Sequence, residues 1–154
     1  SDRIGYSLAS LPAEGYSGPV PEWPLARFRV MRWEFEDKAR YQIEDKEASA
    51  EFAARELALW EWAWSTPQAC AWAMPSEAWR VQTVARWCRQ ATLCESFEAK
   101  AADHGQLHRY ADQIGLTTSG LQQMGWKVAV DQLAEKAAAP KREAPKRERR
   151  LREA

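Results

Sequence analysis

The sequence predicts a mainly α protein: a helical bundle with a small β-hairpin near the N-terminus, an extended proline-rich N-terminal arm and a flexible basic C-terminal tail. Three observations predict it. Apolar residues recur at helical spacing through most of the stretch from Lys46 to Ala139. Residues 11–24, Leu-Pro-Ala-Glu-Gly-Tyr-Ser-Gly-Pro-Val-Pro-Glu-Trp-Pro, carry four prolines and two glycines. Beyond Pro140 only one large apolar residue, Leu151, remains. The chain therefore divides into an extended arm (1–26), a hairpin plus helical core and oligomerisation domain (27–139), and a basic tail (140–154). At 154 residues it suits one domain with a sizeable core.

Each proline of the arm removes a backbone donor and fixes φ, so residues 11–24 form neither a helix nor a central strand. Tyr16, Val20 and Trp23 are placed to pin the arm onto the body or onto a neighbouring subunit. Phe28 to Ile43 alternates apolar and polar residues around a turn at Asp37-Lys38-Ala39, with Val30, Trp33 and Phe35 before it and Tyr41 and Ile43 after it. That is a β-hairpin. Two strands alone are marginal in water, so the hairpin needs helices or another chain to pack on.

From Lys46 the pattern is helical, with Phe52, Leu59 and Ala63 in one row and Ala53, Leu57, Trp60 and Trp64 in another. Glu51 and Arg55 supply an i, i+4 pair on the wet side. Thr66-Pro67 reads as N-cap and first residue of a short helix ending near Met74. Pro75-Ser76 opens the next helix, to about Glu95, and Ser96 caps a fourth that reaches Ile114. Leu107, Tyr110, Ala111 and Ile114 are its apolar stripe. Gly115 then stops it, Leu116 bridges, and Thr117 or Thr118 caps a further helix beginning near Ser119. This tight corner suits a DNA-reading helix-turn-helix, a bundle turn or a subunit contact. Its second helix offers only Gln122, Gln123 and Lys127 for reading bases, which is thin for direct readout. Trp126, Val130, Leu133 and Ala137 continue a helical stripe to about Ala139, with Gly125 as an alternative break.

Formal charge is zero, yet Lys136 to Ala154 holds eight basic and three acidic residues, leaving the body net acidic. No run approaches the ~18 apolar residues of a membrane span, and the N-terminus lacks a signal-peptide pattern. Cys70, Cys88 and Cys94 are an odd number, which fits free thiols in a reducing cytoplasm. Cys88, Cys94, His104 and His108 do not have zinc-site spacing, because the cysteines fall about 240° apart on one helix. There is no phosphate-binding glycine loop and no nucleophile elbow, so neither catalysis nor a cofactor is expected.

Nine tryptophans are many for this length, and six lie between Trp60 and Trp87. Base stacking is one use for them. Core or subunit packing is the simpler one, with Trp60, Trp64, Trp72, Trp79, Trp87, Tyr16 and Trp23 as candidate oligomer-interface residues. Basic residues fall in three groups: Arg29, Arg32, Lys38 and Arg40 about the hairpin, with Arg27 beside them; Arg86 and Arg89, beside Gln82 and Gln90 on the polar face of a helix; and Lys141, Arg142, Lys146, Arg147, Arg149, Arg150 and Arg152 in the tail. Each suits phosphates; the helix face equally suits plain solvation or pairing with an acidic neighbour such as Glu56 or Glu61 of another subunit, and the tail equally suits an acidic protein partner.

The order and spacing of four segments resemble small terminase subunits of tailed bacteriophages, particularly those of phages and prophages of high-GC Gram-positive bacteria. The segments are Leu11–Pro24, Glu56–Ala69, Trp79–Cys94, and His108–Leu121 with Gly125-Trp126. Ile-Gly-Leu-Thr-Thr-Ser-Gly at 114–120 is similar to a Leu-Gly-Leu-Thr-Pro motif of one such group, with Thr118 where proline is common. The segments cover 60 of the 154 residues, about two fifths of the chain. It implies a non-enzymatic adaptor in the host cell cytoplasm that assembles into a ring, binds double-stranded phage DNA, and recruits and regulates the large terminase subunit, which holds the ATPase and nuclease. Many small terminases open with a helix-turn-helix domain, and here an arm and a hairpin stand in its place. DNA contacts then fall to the tail, the hairpin arginines or the Arg86/Arg89 face. A helix-turn-helix regulator and a protein-only adaptor are the other readings the residues leave open.

Overall fold

The computed structural model describes residues 8–130, so the tail and its seven candidate cations lie outside the described residues. About half of the described residues are helical, in five α-helices. In chain order the elements are β1 (Ala9–Leu11), β2 (Met31–Glu36), β3 (Ala39–Glu44), α1 (Lys46–Ala63), α2 (Pro67–Trp72), a 3-10 turn (Pro75–Glu77), α3 (Arg80–Cys94), α4 (Ala101–Ile114), α5 (Thr118–Met124) and β4 (Trp126–Val128). None of the described helices is long and apolar enough to cross a membrane.

Several boundaries follow from local chemistry. Asp45 caps α1 through the Ala48 amide at 3.0 Å, and Thr66 caps α2 with Pro67 at its first position. Gly115 ends α4 in the left-handed region at φ 78°, and the Thr117 hydroxyl accepts from the Gly120 amide at 2.9 Å to open α5. The corner is thus a tight turn between α4 and α5, with Leu121 and Met124 packed against the core. Gly120 is pressed so close to α4 that a Cβ would sit 2.4 Å from the Asp112 carbonyl oxygen. We expect Gly120→Ala to lower stability by about 2 kcal/mol, as overpacking does, read as a fall in thermal midpoint. An unchanged midpoint would contradict this contact.

Three expectations are corrected. Ser96 does not cap α4: its hydroxyl takes the Glu98 amide in a local turn, and α4 starts at Ala101, where the Asp103 carboxylate reaches back to the Lys100 amide at 2.9 Å. The helix expected from Pro75 is a 3-10 turn followed by α3 from Arg80. Gly125, left-handed at φ 72°, ends α5, and Trp126–Val128 is a strand in place of a continuing helix; Leu133 and Ala137 lie outside the described residues. That strand pairs in parallel with Ala9–Leu11 at the start of the extended arm.

The core forms where α1, α2, α3 and the α4–α5 corner converge. Its largest buried side chains are Trp60, Trp64 and Trp72, with Leu11, Val84, Cys88 and Ile114. Trp64 stands edge-on between Trp60 at 5.6 Å and Trp72 at 5.5 Å. The arm lies across this row: Tyr16 meets Trp64 at 5.8 Å and Trp23 meets Trp60 at 5.2 Å, both edge to face. Trp60 donates to the Pro21 carbonyl and Trp72 to the Ile114 carbonyl, each at 2.9 Å, while the buried indole N–H of Trp64 has no partner among the described residues.

Candidate subunit and nucleic-acid surfaces

Burial sorts the aromatic residues. Trp60, Trp64 and Trp72 are each at most 2% exposed within the single chain, so they have no surface to offer a neighbour. Tyr16 and Trp23 hold the arm onto the chain's own α1. Among the candidate interface residues, Trp79 is well exposed and Trp87 half-buried, the latter 5.8 Å from the exposed Trp62. Periodicity found the aromatic stripes correctly but could not tell an intramolecular core from an interface.

The basic residues are sorted by their partners. Arg89 joins Glu56 of α1 at 2.7 Å and donates to the Ala26 carbonyl, with its guanidinium near the rings of Trp23 and Phe28. Glu56 is almost wholly buried, so Arg89 is the counter-ion that lets a carboxylate sit inside and ties the arm to α1 and α3. The expected Glu51–Arg55 pair gives way to a bidentate Arg55–Glu95 bridge between α1 and the end of α3. On α3, Arg86 is exposed, while Gln90 donates to the Asp103 carbonyl at 3.0 Å and braces α4.

At the hairpin, Arg27 contacts Glu44 at 2.6 Å with Arg29 at 3.7 Å, and Arg32 contacts Glu34 at 2.6 Å. The Arg27 guanidinium holds the Glu44 carboxyl below the usual carboxylate range. Arg40 lies 3.7 Å over the Trp33 ring. Tyr41 donates to Glu36, which pushes its phenol up. Asp37 and Lys38 make the two-residue turn, both at positive φ, 47° and 66°. Between Met31 and Glu44 there are three basic and four acidic residues. Arg27, Arg29, Arg32 and Arg40 thus each lie against an acidic or aromatic side chain of the hairpin region, while Lys38 stands in the turn.

The cysteines divide likewise. Cys88 is fully buried beside Val84 and Ala85, and burial pushes its thiol up to about 12. We expect a thiol reagent at pH 8 to label Cys88 only on unfolding; labelling in the native protein would contradict this packing. Among the described residues no three His, Cys, Asp or Glu side chains are grouped to hold a metal ion. A groove of about 300 Å³ runs between the arm and α1, lined by Trp23, Leu25, Ala53 and Leu57, and its polar groups, Arg27 and Glu56, are committed to Glu44 and Arg89.

No family model, curated protein or solved structure matches the chain. On the α4–α5 corner, Thr118, Ser119, Gln122 and Gln123 face solvent, while Leu121 and Met124 pack against the core. Lys127, expected on a helix, stands exposed on β4.

Proposed function

We propose that the chain is a small terminase subunit of a tailed phage: a non-enzymatic adaptor that assembles into a ring in the host cytoplasm, binds double-stranded phage DNA, and recruits and regulates the large subunit. One observation carries the reading. The segments that resemble small terminases, widely separated in sequence, supply every buried hydrophobic residue of the core except Ala71 and Trp72. The resemblance therefore follows the positions that define the fold. Exposed aromatic residues at Trp62, Trp79 and Phe35 leave apolar surface for neighbours, which suits a subunit of an assembly. With Arg89 and most hairpin cations engaged, the DNA contact is assigned chiefly to Lys141, Arg142, Lys146, Arg147, Arg149, Arg150 and Arg152.

The expected solution mass is many times 17.6 kDa. With six or more phosphates neutralised, affinity for duplex DNA should fall roughly 10³-fold or more between 50 and 200 mM salt. Removing residues 140–154 should abolish that binding and leave the assembly intact. A single-chain mass by light scattering, or DNA affinity indifferent to the deletion, overturns the respective half of the proposal.

A further inference from the structure

Helix α1 is apolar on both sides. Ser49, Glu56, Trp60 and Ala63 are buried toward the core, yet the outward side exposes Ala50, Ala54, Leu57, Ala58 and Trp62. A surface helix ordinarily turns charged and polar residues to water. Leu57 is 49% exposed and lines the groove of about 300 Å³ between α1 and the arm, together with Trp23 and Leu25. The charges about this groove are unevenly matched. Its cations are engaged, Arg27 with Glu44 and Arg89 with Glu56. The carboxylates nearest it in the chain are not. Glu61, one turn beyond Leu57, and Glu22, beside Trp23, are exposed and have no ion pair among the described residues. Glu47 and Glu51, further along the outward side, are likewise exposed without an ion pair among those residues. Against these four stands one unengaged cation of α1, Lys46 at its first turn.

The chain carries the opposite chemistry beyond residue 130. Residues 141–152 hold seven Lys and Arg against two Glu, and their one large apolar residue, Leu151, stands between Arg150 and Arg152. A leucine set among cations is the complement of an apolar groove flanked by carboxylates. Length permits the meeting. Leu151 comes 21 residues after Val130. A coil of that length spans roughly 25 Å, while a domain of the described size has a radius of gyration of about 14 Å. Attachment makes the encounter intramolecular, at an effective concentration on the order of millimolar, so weak contacts suffice. We propose that the outward side of α1 is the resting dock of the chain's own basic tail, with Leu151 in the groove and the tail's cations against Glu22 and Glu61. The proposal rests on the reading that the same tail holds DNA, since its cations cannot serve both at once. Duplex DNA must then displace the tail, and the docked fraction lowers the apparent DNA affinity.

The test uses the whole 154-residue chain. A carbodiimide joins a lysine amine to a carboxylate in contact with it as an amide, taking up the water released. At low salt Lys141 or Lys146 should be joined to Glu22 or Glu61, in a product that keeps single-chain mass on a denaturing gel. Duplex DNA should suppress that product. Amides spread over the carboxylates of the hairpin and α4, or found only in a product of double mass, overturn docking on the chain's own α1. DNA affinity at fixed salt gives the second reading. Leu57→Ser and Leu151→Ser change no charge, so each should tighten DNA binding roughly three- to tenfold, the worth of a partly buried leucine. The double variant should gain no more than either single. Leu151→Ser, placed in the tail, guards against an effect of Leu57→Ser on folding. Unchanged affinity in Leu151→Ser overturns the dock and leaves the tail's DNA contact standing. DNA binding by the wild type that is indifferent to removing residues 140–154 sinks the DNA reading instead, and the cross-links then decide the dock alone.

Discussion

Replacing Trp72 with alanine is expected to come close to unfolding the protein. The side chain is 1% exposed, stands edge-on to Trp64 at 5.5 Å, and donates to the Ile114 carbonyl at 2.9 Å. Removing a buried tryptophan costs about 3–5 kcal/mol. The carbonyl left behind at the end of α4 adds to that. Domains of this size have only about 5–15 kcal/mol in total. The thermal midpoint should fall by roughly 10–20 °C. Trp72→Phe separates the causes, since it keeps most of the volume and loses only the N–H. Its cost should be well under half that of alanine; equal losses would place the whole effect in the hydrogen bond.

The Glu56–Arg89 pair should give the other large effect. Glu56 is 4% exposed, and its carboxylate meets Arg89 Nε at 2.7 Å. Glu56→Leu strands a largely buried guanidinium at about 2–4 kcal/mol, below the full range for broken buried pairs because Arg89 keeps some solvent contact. Glu56→Leu with Arg89→Leu removes both charges and should return stability to within about 1 kcal/mol of wild type. Chemical denaturation of the two singles and the double measures this coupling. Additive losses in the double variant would refute it.

That pair also marks where the sequence stopped being readable. Local chemistry was legible: the Thr66-Pro67 start, the Gly115 stop and the Thr117 cap each rest on contacts within a few residues, and each stands where expected. Arg89 was grouped with Arg86 by position on the helix, but its partners Glu56 and Ala26 lie 33 and 63 residues away. Trp60, Trp64 and Trp72 had the spacing of an interface as well as of a core, and contacts distant in sequence decide between them: the arm over Trp60 and Trp64, and the end of α4 at Trp72. Trp126–Val128 is too short for a periodic signal, and its strand partner lies at the other end of the described chain. The hairpin was legible as a hairpin; its lack of support from the helices was not.

The pairing of β1 with β4 has a consequence for the order of folding. Ala9 stands against Trp126, so forming this two-stranded ladder closes a loop spanning almost the whole described chain. The entropy of so large a closure must be met before its few contacts repay it. The helices, whose contacts are nearer in sequence, are expected to assemble first, with Leu11 and Trp126 sealing the core last. Leu11→Ala should accordingly speed unfolding while leaving the folding rate almost unchanged. The ladder acts as a clasp, and a protein emerging from the ribosome cannot fasten it until Val128 is free.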